Sequence, residues 1–200
     1  MAQIVSITGL QNLVNLQGIY IDWNGFQSIN LSGLANLVIA DVSDCDIPGT
    51  NTNSLTSLNL SGCTALEQLR MDDSDFSGGL PNLSGLNALR YMDVDQCGLT
   101  GSIDLSNLPA LEGFDLSGNT GITSVTISSS QPLGDGWEIL LNNCALTQTA
   151  VDDILVALAA NSINNGYVDL SGGTNAAPGA AGLAALTTLT GKSWSYDVNS

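Results

Sequence analysis

Short phrases of the form apolar, any residue, apolar recur along the chain, and the middle residues are Tyr20, Asp41, Arg70, Asp93, Asp115, Leu140, Asp169 and Ser195. A second series follows two residues later: Asp22, Ser43, Asp72, Asp95, Ser117, Asn142, Ser171 and Asp197. If each phrase is a strand and the strands stack, both series share one outward face at strand spacing. Tyr20, Trp23, Tyr91, Trp137 and Tyr167 stand at or beside this face. Aromatics among carboxylates suit recognition of proteins or glycans, because flat apolar contact is rimmed by polar groups. The candidate binding residues are therefore Tyr20, Asp22, Trp23, Asp41, Asp72, Tyr91, Asp93, Asp95, Asp115, Trp137, Tyr167 and Asp169. Like charges at strand spacing repel. Arg70 falls between Asp41 and Asp93, and Arg90 between Glu67 and Glu112, where each relieves its column.

The same residue types could also serve catalysis or metal binding. The chain has no histidine, which excludes Ser-His and Cys-His nucleophile pairs. Asp93 and Asp95 on one strand would stand roughly 7 Å apart, a separation an inverting glycosidase can use. An open sheet, however, offers no enclosed pocket to raise an acid's pKa. No catalytic residue is expected, and a carboxylate-dependent glycan hydrolase is kept only as a reading to test. Asp72/Asp73/Asp75 and Asp41/Asp44/Asp46 could offer carboxylates to Ca²⁺, but neither matches an EF-hand loop. Solvated acids are the better account, so neither a metal site nor a cofactor is expected, with Ca²⁺ the ion such acids would take.

Composition narrows the function classes. A formal charge of −16, with three basic residues, argues against nucleic acid, whose phosphates need a basic footprint. Anionic membrane surfaces are disfavoured for the same reason, and no apolar run approaches the roughly 20 residues of a membrane helix. Cations and basic partners are compatible. Acidity alone also keeps an extended surface soluble. MAQIVSITGL has neither a basic start nor a long apolar core, so it does not read as a secretory signal.

The elements that must position these residues follow from the period. Inward pairs are Ile19/Ile21, Ala40/Val42, Leu69/Met71, Met92/Val94, Phe114/Leu116, Ile139/Leu141, Val168/Leu170 and Trp194/Tyr196. Irregular steps between them absorb insertions at Pro48–Asn53 and Gln131–Gly136 and two helices. A second column, Val5/Ile7, Ile29/Leu31, Leu58/Leu60, Pro81/Leu83, Ile103/Leu105 and Val125/Ile127, predicts a second sheet on the opposite wall through the first two-thirds. After Leu146, Thr149-x-x-Asp152 reads as a capping box ahead of Val151, Ile154, Leu155 and Leu158 at helical spacing. A second helix is expected from near Asn175, with Pro178 in its first turn and Leu183, Leu186 and Leu189 inward. These helices thicken the C-terminal end as a cap must. Ile4–Thr8 reads as half a coil, leaving an N-terminal edge that a neighbour could cover.

LNALRYMDVDQCGL (from Leu86) and LPALEGFDLSGNTGI (ending at Ile122) state one phrase twice, and their spacing resembles the leucine-rich repeat L-x-x-L-x-L-x-x-N/C-x-L. The resemblance runs over nearly the whole chain and implies a single α/β solenoid over residues 1–200. It would have about seven to eight turns: mostly β coils over 1–146, and helix-containing coils with a cap over 147–200. LTGSI at Leu99–Ile103 and FSGGLP at Phe76–Pro81 look like the second-strand phrase of plant-type repeats. In such repeats the slot filled here by Asn24, Cys45, Ser74, Cys97, Asn119, Cys144 and Gly173 turns inward to satisfy loop backbone groups. Cys63 lies at a leucine-type slot. Cysteines on alternate coils would stand roughly 9–10 Å apart, beyond the limit of about 7 Å for a disulfide, so four buried free thiols are expected.

The ending, from YVDLSGGTNAAPG to SWSYDVN, is similar to those of repeat proteins of bacteria and their phages. That likeness implies a non-enzymatic virion component of a tail, fibre or capsid surface, assembled in the bacterial cytoplasm. It would attach to another virion protein or a host-surface ligand. The alternative is a bacterial or eukaryotic extracellular repeat protein that recognises proteins or glycans. Asn30, Asn59 and Asn82 each open an N-x-S glycosylation acceptor, and occupied glycans would sink the phage reading. The ligand, the source and the oligomeric state are not written in the residues.

Overall fold

The computed structural model describes residues 4–44, 46–47, 52–53 and 55–200, in two compact units, Met1–Leu99 and Thr100–Ser200. The expectations for Cys45 and for most of the Pro48–Asn53 insertion lie outside the described residues, as does the Asp46 side chain.

The strands of unit 1 are β1 (Gly18–Tyr20), β2 (Ser28–Asn30), β3 (Ile39–Asp41), β4 (Asp46–Ile47), β5 (Thr52–Asn53), β6 (Ser57–Asn59), β7 (Gln68–Arg70) and β8 (Tyr91–Asp93). The main sheet runs β1-β3-β7-β8, all parallel, with Ile19 opposite Ala40, Ala40 opposite Leu69 and Leu69 opposite Met92. Those residues stack inward, as their period of two requires. Tyr20, Asp41, Arg70 and Asp93 stack outward in the same register. The leucine spacing has a simple cause. Leu34 N donates to Leu31 O at 3.3 Å and Leu37 N to Leu34 O at 3.0 Å, so each three-residue step is a hydrogen-bonded turn that points its apolar side chain inward. The next coil repeats the turns at Leu60, Cys63 and Leu66, which puts the Cys63 thiol in a leucine slot, donating to Leu31 O.

The recurring N-L-S-G phrase is a turn device. Asn30 Oδ1 accepts from Ser32 N and Asn59 Oδ1 from Ser61 N, each at 3.1 Å, in the side-chain mimic of a backbone turn. Gly33 and Gly62 follow with φ of 79° and 84°, the left-handed region that glycine enters without cost.

In unit 2 the strands are β9 (Thr100–Asp104), β10 (Gly113–Asp115), β11 (Gly121–Thr126), β12 (Ile139–Leu140), β13 (Tyr167–Leu170) and β14 (Ser195–Val198), with helices α1 (Gln148–Ala160) and α2 (Ala180–Gly191). Its main sheet runs β10-β12-β13-β14, again parallel. The last register differs from the sequence alignment: Val168 faces Tyr196 and Asp169 faces Asp197, so the inward pair is Tyr196/Val198 and not Trp194/Tyr196. Trp194 is buried by another route. Its ring lies where a methyl group on Gly134 or Gly166 would have to be, within 2.4 Å and 2.5 Å of ring carbons, and its Nε1 donates to Ile163 O at 3.0 Å.

The second column is not one continuous sheet. It forms two separate parallel ladders, β2 with β6 in unit 1 and β9 with β11 in unit 2. Val5–Ile7 and Pro81–Leu83 are not strands; Pro81 lacks the N–H that a ladder needs.

Both helix starts also differ from expectation. The N-cap of α1 is Thr147, whose hydroxyl accepts from Ala150 N at 3.2 Å, while Thr149 lies inside the helix. Asp152 instead reaches α2: its Oδ1 accepts from Gly179 N at 2.7 Å and Gly182 N at 3.1 Å. Helix α2 therefore starts at Ala180, after Pro178, and has no side-chain cap of its own. Its buried face is Gly182, Ala185, Leu186 and Leu189, whereas Leu183 is 57% exposed. Asn175 does not open the helix. It is buried, donating from Nδ2 to Leu141 O and Leu170 O and accepting at Oδ1 from Leu146 N, which ties two successive coils together.

Among the described residues, no helix is long and apolar enough to cross a membrane.

Candidate functional site

Each main-sheet strand but the last is followed by a residue in the left-handed region. Four positions after the first inward residue stand Trp23 (φ 57°), Asp44 (50°), Asp73 (50°), Gln96 (51°), Gly118 (69°), Asn143 (57°) and Gly172 (71°). The residue after it turns inward at Asn24, Ser74, Cys97, Asn119 and Cys144, whereas Gly173 is exposed and the buried Asn175 takes that place in its coil. Asn24 Nδ2 donates to Ile21 O and Asp22 O while its Oδ1 accepts from Ile4 N, and Gly25 N donates to Ile4 O. Cys97 Sγ points to Met71 O, Asn119 Nδ2 donates to Leu116 O, and Cys144 Sγ points to Leu116 O. Cys63, Cys97 and Cys144 are free and buried. Burial raises the Cys63 thiol pKa and pushes those of Cys97 and Cys144 up to about 12, which removes them from nucleophilic or metal chemistry at neutral pH.

The outward face of unit 1 gathers much of what the sequence nominated. Asp22, Trp23, Asp41, Ser43, Asp44, Arg70, Asp72 and Asp93 line one shallow depression of about 250 Å³, below the roughly 300–1,000 Å³ of small-molecule pockets. Trp23 stands at its rim, 66% exposed, and Tyr20 is 63% exposed on β1 beside Asp41. Trp23 holds a left-handed backbone with a bulky side chain, a conformation uncommon enough to ask what holds it there.

Ser43 belongs to the second outward series but is not among the candidate binding residues. It is buried, and its hydroxyl lies 2.8 Å from Asp41 Oδ1 and 2.6 Å from Asp72 Oδ1. A hydroxyl has one proton to donate, so the two carboxyl oxygens share it or compete for it. The Asp72 carboxyl titrates above its ordinary range, chiefly through burial, with Asp95 and Asp41 adding repulsion against the hydrogen bond from Ser43. The signal available in the sequence was the D-x-S phrase, which recurs as a turn at Asp115–Ser117 and Asp169–Ser171.

Asp72, Asp93 and Asp95 each bring one carboxylate oxygen within 4.8 Å of the others. Among the described residues the carboxylates that gather are thus Asp72 with Asp93 and Asp95, not Asp72 with Asp73 and Asp75, and the Asp41/Asp44/Asp46 cluster lies partly outside the described residues. The gathered group supplies three oxygens where Ca²⁺ takes about six to eight. Tyr91 is half-buried on β8.

The residues nominated in unit 2 are turned to internal use. Asp115 Oδ1 accepts from Ser117 N at 2.8 Å, and Asp169 Oδ1 from both Ser171 N and its hydroxyl. Tyr167 donates to Asp197 Oδ2 at 2.7 Å, which with burial raises its pKa. Trp137 is half-buried, its Cβ on the close side of Gly113.

No family model matches this chain and no curated protein is similar to it. Among solved structures, an internalin from Listeria monocytogenes strain 4b F2365 is similar at 18% identity, with 99% of this chain and 78% of that chain covered and a TM-score of 0.27. At that score the likeness carries no argument about fold or role.

Proposed function

We propose that this protein is a non-enzymatic recognition module that takes a basic protein partner on the outward face of unit 1. The observation that carries the reading is the exposed Trp23, held in a left-handed slot beside the depression lined by Asp22, Asp41, Asp72 and Asp93. A lysine or arginine lying over an indole face gains about 0.5–1 kcal/mol at an exposed site, and carboxylates within reach add charge complementarity that acts chiefly on association rate. The setting proposed is a phage particle, on the resemblance of the chain's ending, with an extracellular recognition protein as the alternative. An unmodified chain at fixed copy number in purified particles supports the virion setting, and a glycosylated or free form the extracellular one.

The test of the face uses a decalysine probe. Trp23→Ala combined with Asp41→Asn is expected to weaken its binding about ten-fold at low salt, the advantage of the native face fading at high salt. A control pair, Asp104→Asn with Asp135→Asn, removes charge elsewhere. Equal loss from the control would mean that only net charge is at work, and would sink the reading.

A further inference from the structure

Strand β11 pairs on one side only, with β9. Leu105 N donates to Thr126 O at 2.9 Å, so Thr126 turns its peptide groups toward β9. Successive residues of a strand turn theirs to opposite sides, which sends those of Val125 to the other edge, together with the N–H of Ile127, which lies one residue past the strand and shares its peptide group with Thr126 O. Further back on that edge the chain supplies its own cover: Ala145 N donates to Ile122 O and Thr147 N to Thr123 O. The cover then leaves at the N-cap of α1. Among the described residues, no hydrogen bond from another element reaches the main-chain N–H or C=O of Val125 or Ile127. Between this edge and α1 lies a groove of about 370 Å³ lined by Ser124–Ile127, Ala150 and Asp153. Asp153 is exposed, and no basic residue lines the groove.

We propose that this groove takes an extended, lysine- or arginine-bearing segment of a partner polypeptide, added as a strand to the free edge of β11 at Val125 and Ile127 and met in charge by Asp153. Main-chain hydrogen bonds of this kind give affinity, and side-chain contacts give selectivity. An unpaired edge is a template that proteins otherwise cover or block. The chain's charge of −16 and the Asp153 carboxylate select a basic strand over an acidic one. This site is separate from the outward face of unit 1 and does not depend on it.

The test is amide hydrogen exchange with an alternating lysine–valine octapeptide. At saturation, exchange at Val125 and Ile127 is expected to slow by about ten-fold or more, and Asp153→Asn to weaken binding by about two- to five-fold. Ile127→Pro, which removes one edge N–H and leaves buried Val125 in place, abolishes the protection. The double variant Asp41→Asn/Asp72→Asn, in unit 1, leaves it intact. Unchanged exchange at Val125 and Ile127 with bound peptide overturns the proposal. So does equal protection by a glutamate–valine octapeptide or by a lysine–valine peptide N-methylated at alternate amides, and so does loss of protection in the Asp41→Asn/Asp72→Asn variant.

Discussion

Trp23 occupies a position where the other coils place Asp, Gln, Asn or Gly, residues for which a left-handed backbone is cheaper. Replacing it with Asn, which tolerates that conformation, is expected to raise unfolding stability by about 1 kcal/mol while weakening decalysine binding; urea melts and a binding titration read the two effects separately. If stability fell, the contacts that the indole makes in the fold would outweigh the cost of its backbone conformation. The outward stacking of Tyr20, Asp41, Arg70 and Asp93 was legible from alternation alone, because a strand leaves its side chains only two directions. The role of Ser43 was not. A serine two residues after an aspartate reads as a turn, and only the stacking of one coil on the next brings its hydroxyl to Asp72.

Helices α1 and α2 exchange charged side chains end to end. Asp152, from α1, fills the bare N-terminus of α2, while Lys192, just past α2, donates from Nζ to Ala159 O and Asn161 O at the C-terminus of α1. Each charge lies where the helix dipole favours it. Asp152→Ala is expected to cost about 1–2 kcal/mol in chemical denaturation, as loss of a cap does, whereas Thr149→Ala stays within about 0.5 kcal/mol because Thr149 is exposed. The reverse ranking would restore the capping box within α1. The helices themselves could be read from their apolar spacing. Their ends could not, since Asp152 caps a helix that begins almost thirty residues later. The last strand was misread for a related reason: Trp194 is apolar at a plausible distance from Tyr196, yet it is buried against Gly134 and Gly166, leaving Tyr196 and Val198 to continue the ladder.

For the molecule as a whole, acidity and stability are linked at Asp72. The raised Asp72 pKa means that the folded chain holds a proton there that the unfolded chain has already lost. The stabilisation is thus full below the ordinary carboxyl value of about 3.9 and is lost as pH rises through the folded value. Asp72→Asn is therefore expected to stabilise the protein at pH 7 and to lose that advantage at about pH 3.5, as read from denaturation midpoints at the two pH values. A gain that persists in acid would place the effect in packing and not in the proton. Repeat architecture was plain from the leucine spacing, because each step is a local turn. The break in the second column rests on one proline and on which coils happen to be neighbours.

The bond between Asn24 and Gly25 adds a consequence of another kind. In a loose peptide that pair ages chemically, the glycine nitrogen closing on the asparagine carbonyl to form a succinimide that opens to aspartate or isoaspartate. Here Gly25 N is tied to Ile4 O and both ends of the Asn24 amide are engaged, so the nitrogen and the carbonyl carbon are held from meeting. The folded chain thereby sets the lifetime of its own covalent structure, and the three residues that close its first coil also stop its clock.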